Sequence, residues 1–283
     1  MEKVEDIEEL QKIAADIRIE SIKLIAKAGS GHPGGSLSTA DIYAVLYWNI
    51  LNFNPKNPKD PNRDYFILSK GHGCPAWYAT LALKGAIPMK ELQTDREFGS
   101  RLQGHPDKLR LPFVELSTGS LGQGLSVAVG IALGLKLKEQ ENRVYCILGD
   151  GEIDEGNIWE AAMFAPMHKL NNIVGIVDRN QVQQEGLCKD ILDTEPLDEK
   201  FRAFGWHCVR VNGHSVEDLK ETLNRVERVD KPVMIIADTI KGKGVSFMEL
   251  NPAFHGKAPD KKETKDALKE LTDTKNEIGK PRE

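Results

Sequence analysis

A carboxylate and a carboxamide stand where two apolar runs end. Val144–Leu148 closes on Gly149-Asp150-Gly151, and Ile173–Val177 closes on Asp178-Arg179-Asn180. If both runs are strands of one sheet, Asp150 and Asn180 leave it at neighbouring carboxyl edges, and the glycines beside Asp150 let a ligand approach the backbone. A carboxylate and an amide oxygen so placed can share one hard divalent cation, which prefers oxygen donors and keeps positions open for phosphate oxygens. The spacing therefore makes a magnesium and diphosphate site. A lone Gly-Asp-Gly is most often an ordinary turn, so the weight lies on the whole stretch.

Histidine placement is the second signal. Five of the seven histidines adjoin glycine: His32, His72, His105, His214 and His255. Imidazole titrates near neutral pH and serves proton transfer, although one His beside Gly is more often a loop residue. The third signal is Ser117-Thr118-Gly119-Ser120-Leu121-Gly122-Gln123-Gly124, where glycines let a loop pass close to a flat ring and the following helix opens with free N–H groups. Lys241-Gly242-Lys243-Gly244 follows another apolar run, and a lysine there, with Lys243 the candidate, could contact diphosphate; solvated loop lysines fit equally. Gly29-Ser30-Gly31-His32-Pro33-Gly34 matches G-x-G-x-x-G formally. It follows a helix pattern and contains Pro33, so a dinucleotide-binding reading fails.

Positioning these residues requires strands and helices in alternation. Ile7, Leu10, Ile13, Ala14, Ile17, Ile22, Leu24 and Ile25 among charges fit an amphipathic helix over 7–28. Helical patterning resumes over 39–48, a Pro- and Asn-rich loop follows over 52–62, then a strand at Tyr65–Leu68 and a helix over 74–83. The small-residue stretch 120–138 suits a helix packed closely against another backbone, because its glycines otherwise cost helix propensity. A helix over 158–167 separates the two strands named above. Helix 197–204, strand 208–211, helix 216–226 and strand 233–237 complete the alternation. This predicts an α/β fold over residues 1–260: a doubly wound, mostly parallel sheet flanked by helices. Residues 261–283 read as a charged, solvated tail with a short helix near Ala267–Leu271.

Composition excludes several function classes. Among 283 residues, Lys and Arg number 38 against 43 Asp and Glu, a formal charge of −5, without the basic excess a general nucleic-acid binder needs. Cys74, Cys146, Cys188 and Cys208 are far apart and form no C-x-x-C, which suggests neither a zinc site nor a disulfide framework. The first residues are charged, and no apolar run reaches the roughly 18 residues that would span a bilayer. A soluble, cytoplasmic protein that binds neither nucleic acid nor membrane is expected.

From Gly149 to Asn180 the chain resembles the thiamine diphosphate fingerprint, which opens with Gly-Asp-Gly and closes about thirty residues later with Asn. Glu155-Gly156 and Glu160-Ala161 inside it resemble transketolases and their relatives. Ser30-Gly31-His32-Pro33-Gly34, Leu68-Ser69-Lys70-Gly71-His72, Gly104-His105-Pro106 and His255-Gly256-Lys257-Ala258-Pro259 resemble transketolase motifs, in transketolase order. The resemblance runs from about His32 to Pro259 and implies the pyrophosphate-domain type of the thiamine diphosphate-binding fold. It implies a metal held by Asp150, Asn180 and the backbone carbonyl of Val182, with Mg2+, or Ca2+ or Mn2+ in its place. It sets His72 and His255 on the diphosphate, and Gly119, Ser120 and Leu121 against the cofactor rings. Gly149, Gly151 and Lys243 complete the cofactor set, which includes Glu155, similar to a family glutamate at the subunit contact. His32, His105 and His255 are implied as catalytic residues of the substrate channel, whereas His214 matches no such motif and is left structural. Ser120 stands where many full-length members have Pro, which points to a split subgroup.

The implied reaction moves a two-carbon ketol unit from a ketose phosphate to an aldose phosphate. The family supplies the glutamate that activates the cofactor pyrimidine from a second domain, which this sequence does not match. The resemblance therefore implies a separate C-terminal, pyrimidine-binding subunit in an α2β2 assembly, and an apolar surface exposed on this chain when alone. Other enzymes share the Gly-Asp-Gly to Asn site. A synthase joining pyruvate to a triose phosphate lacks the Gly31–Gly35 loop as it stands here, and a 2-oxo acid dehydrogenase α subunit lacks this histidine set. A non-catalytic cofactor-binding subunit stays open.

Overall fold

The computed structural model describes residues 3–280. Strands β1 (Tyr65–Leu68), β2 (Val144–Gly149), β3 (Ile173–Arg179), β4 (His207–Asn212) and β5 (Val233–Asp238) form one parallel sheet in the order β1-β2-β3-β5-β4. β1, β2, β3 and β5 are apolar at nearly every position because the sheet is covered on both faces there, whereas the edge strand β4 carries His207, Arg210 and Asn212. Tyr145, Ile147, Val174, Ile176, Val233 and Ile235 point into a core built with α1 (Ile7–Ala28), α3 (Ala40–Val45), α4 (Cys74–Leu83) and α9 (Val216–Val226). The alternating residues Val144, Cys146, Leu148, Ile173, Val177 and Ile236 point into a second core with α5 (Gln123–Leu137), α6 (Gly156–Met167) and α8 (Leu197–Phe204). The doubly wound sheet expected from the sequence is the one observed. The four cysteines are unpaired, and among the described residues no helix is long and apolar enough to cross a membrane.

Three elements differ from the expectation. The Gly-rich stretch after His32 is a six-residue helix, α2 (Pro33–Ser38); Pro33 starts it, and all six residues are buried, so packing compensates for its two glycines. The helix expected over 39–48 is α3 followed by a wider π turn over Leu46–Ile50. The charged segment expected to be a solvated tail is α10 (Lys261–Glu277), opened by a capping box between Asp260 and Glu263. Its Ala267 and Leu271 are buried with Ile19 and Ile22 of α1, and Lys275 reaches Asp16 at 2.6 Å. The charges misled because they line the outer face while two small apolar anchors carry the docking. Residues 281–283 lie outside the described part.

Candidate active site

The carboxyl ends of β2, β3 and β5 bring the chemical groups together. Asp150 follows β2 and is buried, and its two oxygens accept from Gly151 N at 2.9 Å and Gln181 N at 2.5 Å. Burial, and then the charge of Asp178, push its carboxyl up to about 6 against those two hydrogen bonds. Asn180 follows β3. Its Nδ2 donates to Asp178 Oδ2 at 2.9 Å, which leaves Oδ1 free to accept from Val182 N at 3.3 Å. The carbonyl of Val182 accepts from Lys241 Nζ at 2.7 Å. Asp150, Asn180 and Val182 thus present three oxygens around one short turn, the donor type that a hard cation prefers. Among the described residues no group of three His, Cys, Asp or Glu side chains could hold a metal, so a cation here must draw on amide and carbonyl oxygen, as this turn provides.

Asp178 and Lys70 lie beneath that turn and were not foreseen. Asp178 is fully buried and accepts from Lys70 Nζ at 2.5 Å, Thr239 Oγ1 at 2.5 Å and Ser38 Oγ at 2.7 Å. Burial acts to raise its pKa, but the Lys70 charge and the converging donors outweigh it and hold the carboxyl below its ordinary value. A carboxylate inside an apolar strand was the available signal, since such a residue needs partners to be buried at all.

Lys243, the candidate named for the diphosphate, and Lys241 stand differently in the structure. Lys243 is part-exposed and pairs with Glu249 at 3.4 Å. Lys241 is the buried one: besides Val182 O, its Nζ lies 2.7 Å from His255 Nδ1, and burial lowers it to about 8. Gly242 turns the chain between them with φ +80°, so neighbouring lysines leave on different courses.

Four of the singled-out histidines meet in one cluster. The His32 ring centroid lies 5.2 Å from His72, 5.3 Å from His255 and 6.3 Å from His105, and His72 lies 5.3 Å from His255. Burial first, then Arg96, His105 and Lys241, lower His32 to about 4. Burial first, then Lys241, lowers His255 to about 3; His72 and His105 are lowered too, each chiefly by burial. These rings are therefore neutral at pH 7 instead of titrating there, and each offers one donor and one acceptor nitrogen. The His32 Nδ1 is buried without a hydrogen-bond partner among the described residues, as suits a group left for a ligand.

The loop at 117–124 closes this end. A Cβ on Gly71 would lie 2.7 Å from Thr118 Oγ1 and 2.8 Å from its carbonyl carbon, so only glycine lets the His72 turn meet the loop. Gly119 and Leu121 are half-buried, Ser120 is exposed, and α5 begins after Gly122, whose φ is +83°. Glu152, also unforeseen, clips the loop to the sheet: its carboxylate accepts from Gly122 N at 2.9 Å, Ser69 Oγ at 2.5 Å and Gly149 N at 3.1 Å. Glu155 is exposed at the start of α6, beside Gly122. His214 stands apart from the histidine cluster, bonded to Asp41 and Ile240.

The family described as "Transketolase, thiamine diphosphate binding domain" matches residues 9–278. A 6-deoxy-6-sulfo-D-fructose transketolase subunit from Clostridium is 44% identical over 264 residues, 93% of this chain and 96% of that protein. One of the apulose-4-phosphate transketolase subunits, from Actinobacillus succinogenes, is 43% identical, covering 94% and 97% of the two chains. Human transketolase is 39% identical over 94% of this chain but only 42% of its own length. The crystal structure of Campylobacter jejuni transketolase superposes with a TM-score of 0.89 at 34% identity, over 96% of this chain and 43% of that one. The Pichia stipitis enzyme in complex with sedoheptulose-7-phosphate does so with a TM-score of 0.86 at 29% identity, over 96% and 44%. The chain belongs to the transketolase thiamine diphosphate-binding family, and it matches nearly end to end relatives that are themselves transketolase subunits.

Proposed function

We propose that this chain is the half of a two-chain transketolase that holds the cofactor diphosphate and its metal, and that a C-terminal, pyrimidine-binding subunit completes the site in an α2β2 assembly. The observation that carries the reading is the convergence of the Asp150, Asn180 and Val182 oxygens with Lys241 and four neutral histidines at one end of the sheet. Asp150, the Asn180 amide oxygen and the Val182 carbonyl hold Mg2+, for which Ca2+ or Mn2+ can substitute. His72, His255 and Lys241 face the diphosphate, while Gly149, Gly151 and the 119–121 loop leave room for the rest of the cofactor. Thiamine diphosphate, when bound, would supply an electron sink for the two-carbon unit. His32, His105 and His255, held neutral, accept a hydroxyl proton from one sugar and return it to the next.

The substrates are ketose and aldose phosphates. Transketolase relatives are named for apulose-4-phosphate and for a sulfonated fructose, and one structural neighbour is a complex with sedoheptulose-7-phosphate, so a small sugar with an anionic tail is the class this reading adopts. The test mixes the purified chain with a candidate pyrimidine-domain chain encoded beside it, Mg2+ and thiamine diphosphate, and follows ketose phosphate plus aldose phosphate conversion. Turnover by the mixture and by neither chain alone is expected. Full turnover by this chain alone, or preferential use of pyruvate by the mixture, refutes the reading.

A further inference from the structure

His214 lies just past the ends of β4 and β5. The β4 and β5 ladder ends at Asn212 opposite Asp238, followed by one more bond, Gly213 N to Asp238 O at 2.8 Å. In the segment that follows β5 the amides alternate: Thr239 N donates to Arg179 O at 3.0 Å and Lys241 N to Asn180 O at 3.4 Å, both toward β3. Ile240 N points the other way, where β4 offers no further carbonyl. It donates instead to His214 Nε2 at 2.8 Å. An N–H can only donate, so Nε2 is the acceptor and the ring proton sits on Nδ1, 2.8 Å from Asp41 Oδ2.

We propose that His214 is a positioning residue for the cofactor site: its imidazole replaces the missing strand carbonyl, fixes the Ile240–Lys241 segment, and so holds the Lys241 ammonium between Val182 and His255. Lys241 has the next amide along, and its Nζ lies 2.7 Å from both Val182 O and His255 Nδ1. The proposal rests on the functional reading above for the importance of that ammonium, and on these hydrogen bonds for the rest.

Two further observations fit a built tether. Gly213 lies so close to β5 that a Cβ would be 2.4 Å from Thr239 Cγ2, which brings His214 near enough to reach the next amide. On the far side the ring is not left to solvent. Asp41 is buried and pairs with Arg18 of α1, whose Nη1 lies 3.2 Å from its other oxygen and whose Nε donates to Leu37 O of α2 at 3.1 Å. One ion pair therefore anchors both the imidazole that orients Lys241 and the short helix that starts directly after His32. Ligands elsewhere are oriented in this way by groups that never touch the substrate, and removing such groups weakens the site without dismantling the fold.

Two substitutions separate the two nitrogens. His214→Asn keeps a side-chain donor near the Nδ1 position and loses the acceptor for Ile240; His214→Gln places an amide oxygen near the Nε2 position and keeps it. Thiamine diphosphate is titrated with Mg2+ into the full chain in the presence of the partner subunit, with turnover at saturating cofactor. Amide exchange at Ile240 and melting are read on the chain alone. In His214→Asn the cofactor concentration at half-maximal rate rises by about tenfold, kcat at saturation changes little, and Ile240 exchange accelerates. In His214→Gln affinity and protection stay near wild type. Unchanged Ile240 protection in His214→Asn, or unchanged cofactor affinity beside a lowered melting temperature, overturns the proposal. Failure of the wild-type chain to bind the cofactor overturns the functional reading and the role in the site together, whereas the exchange result tests the tether by itself.

Discussion

Lys241 and Lys243 are two residues apart and chemically identical, yet burial and partners give them different work. Lys241→Ala removes a buried ammonium from beside Val182 and His255, and charged hydrogen bonds of this kind are worth about 2 kcal/mol, roughly thirtyfold in affinity. Calorimetry with Mg2+ and thiamine diphosphate should show that loss, while Lys243→Ala, which breaks only a part-exposed pair with Glu249, should bind as wild type does. Equal losses would contradict the assignment. A second prediction concerns Asp95, whose two oxygens have no hydrogen-bond partner among the described residues and whose carboxyl burial raises to about 7. A carboxyl bound to its proton more tightly in the folded chain costs stability as pH rises from its ordinary value of 3.8, and the cost is complete above pH 7. Asp95→Asn removes that cost, so the melting temperature of the variant relative to wild type should climb between pH 5 and pH 8. The buried histidines, lowered in the folded state, act oppositely by weakening the fold as pH falls below 6.5, but they are common to both proteins and cancel in the difference. A difference that is flat with pH would show that Asp95 does not carry a raised value.

Four of the strands were legible because each is a short apolar run and β4 because Cys208, Val209 and Val211 interrupt polar sequence, and the sequence boundaries lie within two residues of β1 to β5. The positions of Asp150 and Asn180 were legible for the same reason, because each stands just past the end of a strand. What could not be read was anything decided by packing between distant segments. Glu152 looks like one more acid in an acidic loop until Ser69, Gly122 and Gly149 converge on it, and Lys241 is distinguished from Lys243 only by the turn at Gly242. The same blindness hid α10, whose pattern is mostly charge. Its docking rests on Ala267 and Leu271 against α1, so Leu271→Ala should cost about 2–3 kcal/mol as a buried truncation. Asp273→Ala, on the outer face, should be silent. Thermal melts of both variants test this, and an unchanged Leu271→Ala would show that α10 adds nothing to the stability of the fold.

At the scale of the molecule, the flank formed by α5 and α6 exposes apolar side chains. Leu137 is 76% exposed, Met167 80% and Met163 53%, all on α5 and α6, which pack against each other below that surface. Gly130 and Gly134 of α5 have nothing within 4 Å of where a side chain would begin, so a partner backbone can come close there. Isolated exposed apolar residues need no explanation, but several on adjacent helices mark a surface for association. In the proposed α2β2 assembly this flank is buried against another chain. Leu137→Glu combined with Met167→Glu should therefore lower the mass measured by sedimentation of the mixture with the pyrimidine-domain subunit, and lower ketol transfer at dilute enzyme. Both positions are open to solvent in the single chain, so its melting temperature, and its affinity for Mg2+ and thiamine diphosphate in calorimetry, should hold. An assembly of unchanged mass would place the interface elsewhere on the chain, and a collapse in melting temperature would show that the two helices need these side chains for their own packing.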